Sequence, residues 1–179
     1  MENASKALIM AATVLLGVMI ISVGVTLYKT FSSFSAETTK QMQDKQIEEW
    51  NNNYLKYYGS QTYFDSSKKQ NVTEPIKVTA HDIITVINNA RQNNIRYFGE
   101  DTSEWPTTDL QNFYYVKVDI QGENYAEKWN ENKKIEFVKN NSLSGDQNQG
   151  YKTKYYKCTK AEISNVTKRV YNVVFKEYK

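Results

Sequence analysis

The side chains able to do chemistry are few. His81 is the single histidine and Cys158 the single cysteine among 179 residues. One cysteine excludes an intrachain disulfide and a cysteine-based zinc cluster, and one histidine excludes a multi-histidine metal site. A Ser-His-Asp arrangement would hang on His81, and no serine or cysteine beside it forms a nucleophile motif. Its context, Thr79-Ala80-His81-Asp82, reads as a helix start, which gives His81 a surface or capping role. Cys158 lies in a strand-like stretch dense in Tyr and Lys and fits a small buried or half-buried thiol. Glu48-Glu49, Glu100-Asp101 and Asp119 are acidic groups whose spacing fixes no carboxylate separation of the kind glycoside chemistry needs. Lys133-Lys134 and Lys152-x-Lys154 read as lysines guarding the outward faces of strands rather than a nucleic-acid grip. The net charge of +3 is too small for a nucleic-acid footprint. These residues predict a protein without catalytic, cofactor-binding or metal sites and without a nucleic-acid partner.

The informative feature is where polarity is missing. Ala7 to Tyr28 is an uncharged run of 22 residues, ALIMAATVLLGVMIISVGVTLY. At about 1.5 Å per residue it spans about 33 Å as a helix, matching a hydrocarbon core of about 30 Å. Eleven of its residues are Leu, Ile or Val, which together contribute about −3 to −7 kcal/mol to insertion. Tyr28 and Lys29 close it as an interfacial aromatic and a snorkelling cation. A cleaved signal peptide ending near Ser33-Phe34-Ser35 is the competing reading. The run exceeds the usual signal-peptide core, and its N-terminal flank has only Lys6, offset by Glu2. The expectation is a retained single-pass anchor in contact with membrane lipid. The flanking charges Lys29, Lys40 and Lys45 do not favour an external C-terminus by count.

Small residues punctuate the run. Ala7 and Ala11, and Thr13 and Gly17, have the small-xxx-small spacing that lets helix backbones approach. Glu2 precedes the run and can pair with Lys6 or with a neighbouring chain's amine, setting axial register in a bundle. Glu2, Lys6, Ala7, Ala11, Thr13 and Gly17 are therefore the helix-assembly candidates. No Pro or Gly falls between Lys29 and Tyr58. Ile47, Trp50, Tyr54 and Tyr57 recur at helical spacing while Asp44, Glu48 and Glu49 fall off that stripe, and Gly59 stops the helix. The prediction is one helix from about Ser5 to Tyr58.

Ser60 to Pro75 reads as a loop. A second helix opens at Thr79, with Asp82 three residues on, and carries Ile83, Val86, Ile87 and Ala90 on its apolar face to an end at Asn93-Asn94. A loop from Tyr97 to Asn112 follows. The pattern then alternates: Tyr114, Val116, Val118 and Ile120 against Tyr115, Lys117 and Asp119. KKIEFVK, YKTKYYKCTKAEI and KRVYNVVFKEY supply three more strands, with a loop or helical turn at Tyr125 to Asn132 and a turn-rich connection from Asn140 to Gly150. The expected fold is α+β: a long N-terminal helix, a second short helix and a four-stranded antiparallel meander. The expected organisation is a tail at 1–6, a transmembrane and assembly helix at 7–28, its amphipathic continuation at 29–58 and a small head at 59–179.

An apolar half-helix (Ala7–Tyr28) running into an amphipathic half (Ile47–Tyr58), followed by strands from Phe113 onward, resembles a type IV pilin or pseudopilin in layout. The family's acidic residue lies within the apolar stretch, whereas Glu2 precedes it, and no basic leader ending in Gly stands before a Phe. The opening MENASKALIMA also resembles small single-span surface proteins of Gram-positive bacteria. Either resemblance implies an external C-terminal domain. The resulting expectation is a non-enzymatic, membrane-anchored structural protein. It would be a homo-oligomer through the N-terminal helix, a filament subunit with an exposed interaction head. The alternative is a bitopic accessory or binding subunit of an envelope or secretion complex, with another envelope protein as partner. A membrane-tethered hydrolase would have to depend on His81.

Overall fold

The computed structural model describes residues 2–142 and 154–178. The chain divides into two compact units, Met1–Gln46 and Ile47–Lys179. Helix α1 runs from Glu2 to Leu55. In the first unit its side chains are almost all exposed, including Leu8 at 74% and Ile20 at 68%.

In the second unit, the end of α1 supplies Tyr54 to the core, where it is fully buried, with Trp50, Leu55 and Tyr57 packed against the same cluster. The expected stripe is thus the one that packs, while Glu48 and Glu49 face solvent. The helix gives way three residues before the expected end: Tyr57 N–H to Tyr54 O and Tyr58 N–H to Leu55 O tighten its last turn. Helix α2 (Ala80–Phe98) begins as read. Thr79 accepts the Asp82 N–H at 3.2 Å and the Asp82 carboxylate accepts the Thr79 N–H at 3.0 Å, a reciprocal capping box. Ile83, Val86, Ile87 and Ala90 are all buried. The helix does not end at Asn93-Asn94. It continues to Phe98 and is closed by Gly99 at φ 83°, because both asparagines face inward and are used by the neighbouring strand.

The sheet differs from the expected four-stranded meander. There are two sheets. One is a hairpin of β1 (Ser60–Asp65) and β2 (Gln70–Pro75), where a loop is expected. Its turn is organised by Asp65, whose carboxylate accepts Ser67 N–H at 2.9 Å and Lys68 N–H at 3.2 Å. The other has the order β3 (Lys117–Ile120), β5 (Val170–Glu177), β4 (Tyr156–Ile163). β4 and β5 are antiparallel, and β3 lies parallel to β5 on its other side. The expected second strand, KKIEFVK, is instead helix α3 (Glu131–Ser142); it joins β3 to β4, and the β4–β5 hairpin then brings β5 back parallel to β3. Tyr125 to Asn132 holds a 3-10 turn at Ala126–Lys128. Most of the connection from Asn140 to Gly150, and Lys152, lie outside the described residues. The alternation read around β3 holds from Val116 on, where Val116, Val118 and Ile120 are buried, but fails before it: Tyr115 is buried and Tyr114 is 45% exposed.

The core joins Tyr54 to α2 through Ile83, Val86 and Ile87 and to the sheet through Val118, Val173 and Phe175. The hydroxyl of Tyr54 is buried without a hydrogen-bond partner, and burial raises its pKa. The ring stabilises and the hydroxyl does not. Tyr54→Phe should leave unfolding unchanged or strengthen the fold by about 1 kcal/mol. Tyr54→Ala should cost about 3–5 kcal/mol. Urea denaturation of the full-length protein in detergent, followed by tryptophan fluorescence, measures both.

Candidate functional site

On α1, a turn of about 100° per residue puts Glu2, Lys6, Thr13 and Gly17 within one stripe about 60° wide, and Gly24 falls in the same stripe. Ala7 and Ala11 lie on a different face, about 120° around the helix. The assembly candidates therefore separate into two sets. Lys6 Nζ donates to Glu2 Oε1 at 2.9 Å across one turn, with both side chains largely exposed. Glutamate placed N-terminal to lysine is the favourable order for such a pair and for the helix dipole.

Glycine in a helix interior costs about 0.8–1 kcal/mol relative to alanine. Apart from the backbone of its own turns of helix and its chain neighbours, a Cβ at Gly17 or at Gly24 would meet no atom of the described residues within 4 Å. The first unit gives neither glycine a packing role.

The polar side chains within the apolar run are satisfied internally. Thr13 donates its hydroxyl to Met10 O at 2.9 Å, Ser22 to Val18 O at 2.8 Å and Thr26 to Ser22 O at 2.9 Å. Each caps a carbonyl one turn earlier, so no hydroxyl proton needs water. With no charge from Ala7 to Tyr28, α1 is long and apolar enough to cross a membrane, and none of its most apolar 18-residue window is buried by the rest of the protein.

The other residues singled out as candidates for chemistry are not brought together. His81 is exposed at the start of α2. Cys158 is buried on β4, donates to Lys160 O, and is pushed up to about pKa 11 by burial, which makes the thiolate scarce at neutral pH. Asp119 is paired with Lys117 at 2.7 Å and accepts the Tyr125 N–H. Asp101 is held below the usual carboxylate range by Ser103, whose hydroxyl and N–H both donate to it. The lysine reading needs correction: Lys133 and Lys134 are on a helix, not a strand. Lys134 is buried and bonds Asn88 and Glu131, each at 2.7 Å, while Lys133 pairs with Glu123. Among the described residues no group of three or more His, Cys, Asp or Glu converges as metal ligands would.

The polar residues that sequence reasoning missed are Asn94 and Glu127, and both act on β3. Asn94 is fully buried; its amide donates to Val116 O and accepts Val116 N–H, each at 2.9 Å. Glu127, also fully buried, accepts the Val118 N–H at 2.8 Å and the Tyr115 hydroxyl. Arg91 donates to the Glu127 and Trp129 carbonyls and so fixes the same turn. These side chains replace a neighbouring strand along the free side of β3. The available signal was Glu127 beside Tyr125 and Trp129 in a short apolar turn, a carboxylate where no solvated one would be placed.

Burial raises the Glu127 carboxyl pKa, against the lowering effect of the Tyr115 and Val118 donors. A carboxyl whose folded pKa is raised keeps its proton in the native state after the unfolded chain has released it. Stability therefore falls as pH climbs from the ordinary glutamate value, about 4.3, to the raised one, and is level above it. Glu127→Gln can keep both contacts, accepting from Val118 and donating to Tyr115, without a proton to lose. The difference in urea midpoint between wild type and Glu127→Gln should move against wild type as pH rises from 4 through this window. A pH-independent difference would contradict the assignment.

Compared with protein-family models, with curated proteins and with solved structures, the chain finds no match.

Proposed function

We propose that this protein is a non-enzymatic, membrane-anchored structural protein whose N-terminal helix serves as both anchor and assembly element. The observation that carries the reading is the uncovered apolar run of α1, with its hydroxyls closed onto its own backbone. Such a surface is covered by lipid or by other helices of the same kind. The stripe holding Thr13, Gly17 and Gly24 supplies the close-approach face for a second helix, since the cost of two interior glycines is not offset within the chain. The Glu2–Lys6 pair at its end sets the axial register. The second unit is then an interaction head on the external side of the membrane, in a pilin-like filament or in a single-pass assembly. The alternative, an accessory subunit of an envelope complex, predicts a stoichiometric different protein in a pull-down and no self-association.

Two measurements test this. Protease shaving of intact cells should digest the head, and its complete protection in cells whose surface is accessible would reverse the orientation. Gly17→Leu leaves the isolated chain unstrained and its anchor more apolar, so insertion should persist. Self-association in detergent should weaken about tenfold, equivalent to about 1.4 kcal/mol. Unchanged association would remove the Gly17 face from the assembly.

A further inference from the structure

The strand edges of the head are treated unequally. β3 is closed by Asn94 and Glu127. β4 is met by Val78, with N–H to O bonds of 2.8 Å in both directions to Tyr156, and by a bridge from Tyr58 to Cys158. Among the described residues the β1–β2 hairpin has no such cover. Beyond its own ladder, its sole flanking backbone bond is Ile76 N–H to Gly59 O at 3.1 Å, among the described residues. That bond puts Gly59 and Ile76 in the hydrogen-bonded set. Antiparallel alternation then directs the backbone groups of Ser60, Thr62 and Phe64 away from β2, and those of Asn71, Thr73 and Pro75 away from β1. The Thr62 and Thr73 hydroxyls, 2.9 Å apart, fit the closer spacing of a non-hydrogen-bonded pair.

The two outer edges are not equivalent. On β2, Pro75 has no N–H and Glu74 places a charge beside it, paired with Lys77 at 3.1 Å, the means by which edges are blunted. β1 reads Ser-Gln-Thr-Tyr-Phe before its terminal Asp65, without charge, Pro or Gly, and exposes Tyr63 at 43% and Phe64 at 62%. A two-stranded hairpin is marginal alone in water and gains from a third strand.

We propose that β1 is a pairing edge for a second copy of this chain, joined antiparallel about a twofold axis at Thr62. In that register Ser60 faces Phe64 of the second copy, Thr62 faces Thr62 and Gln61 faces Tyr63. Asp65 meets Gly59, so no like charges oppose one another. Ser60, Thr62 and Phe64 are the residues whose backbone groups point outward, and they make about six hydrogen bonds across the axis. The strand opposes no like charges to its own copy and is self-complementary in bonding pattern, which is what an isologous contact requires. The inference does not rest on the helix reading, because every group it uses is in the second unit.

The test uses the full-length chain in detergent, with wild-type Gly17 and with Gly17→Leu. Facing Thr62 residues have Cα atoms about 5.5 Å apart, within disulfide reach, so Thr62→Cys should give a covalent dimer on mild oxidation in both backgrounds. Thr73→Cys, on the blunted edge, should give little. Thr62→Lys and Thr62→Glu should each lose trapping at a neighbouring Gln61→Cys with Tyr63→Cys pair, and mixing the Lys and Glu chains should restore it. Equal crosslinking at 62 and 73, or no dimer at 62, overturns the proposal. A dimer at 62 that disappears with Gly17→Leu also overturns it as an independent interface.

Discussion

An apolar helix that its own protein does not cover sets the terms for this molecule. Eleven Leu, Ile and Val residues between Ala7 and Tyr28 place about −3 to −7 kcal/mol on transfer into lipid. Backbone bonding does not oppose that transfer, since an α-helix satisfies its own amides. Side-chain hydroxyls usually would oppose it. Here Thr13, Ser22 and Thr26 are already bonded to carbonyls of the preceding turn, which turns three polar residues into tolerable ones. Replacement of a hydroxyl by an apolar group would add little to insertion, whereas a single charge near the centre would cost about 2.5–3.5 kcal/mol, comparable to much of the total.

The second unit solves the opposite problem, keeping polar backbone satisfied in a fold with few strands. A four-residue strand, β3, would leave its free side open to other chains. Asn94 from α2 and Glu127 from the 3-10 turn bond its amides as a strand would. Their burial is costly, and each is fully engaged in return: Asn94 through both ends of its amide, Glu127 through both carboxylate oxygens. Removing one such partner would strand a buried N–H or C=O at about 1–3 kcal/mol. These contacts also explain why α2 runs past its two asparagines. Asparagine ends helices when its side chain competes for local backbone, and here both side chains are occupied elsewhere, on Tyr114 and Val116.

What was legible in the residues follows the same division. The long apolar helix, the packing stripe through Tyr54, the Thr79–Asp82 capping box and the β4–β5 hairpin each announce themselves through local periodicity or cap chemistry. The hairpin at Ser60–Pro75 was hidden because neither of its faces is fully buried, so no hydrophobic alternation marks it; Thr62, Tyr63 and Phe64 on one strand and Val72 and Thr73 on the other carried strand preference. Helix α3 was hidden by a short window in which Ile135 and Phe137, two apart, mimic a strand. Its signal was Asn130, which accepts the Lys133 N–H at 2.9 Å as an N-cap. Ile135 proves to be 64% exposed while Phe137 packs its ring at a tilt against Trp129 and Tyr156. The parallel placement of β3 comes from the order β3-β5-β4, in which β5 lies between the two earlier strands, and no local pattern shows that order. The grouping of small residues on α1 was half legible: i,i+4 spacing finds Thr13 and Gly17, but only the wheel of a continuous helix separates them from Ala7 and Ala11 and adds Gly24.

The two units thus leave different surfaces unfinished, and the difference governs what each can tolerate. Apolar helix surface is unfavourable in water, and the run from Ala7 to Tyr28 leaves such surface uncovered among the described residues. Open backbone edge is well solvated, so β1 can wait in water without penalty and gains only the modest net value of each exchanged hydrogen bond, about 0.5–1.5 kcal/mol. On the proposed reading, lipid or other helices would cover that run, while pairing through a strand edge would be conditional and respond to local concentration. Tethering to a surface would raise that concentration without new contacts. The helix surface would then be covered before the strand edge, an ordering set by the solvents that the two surfaces prefer.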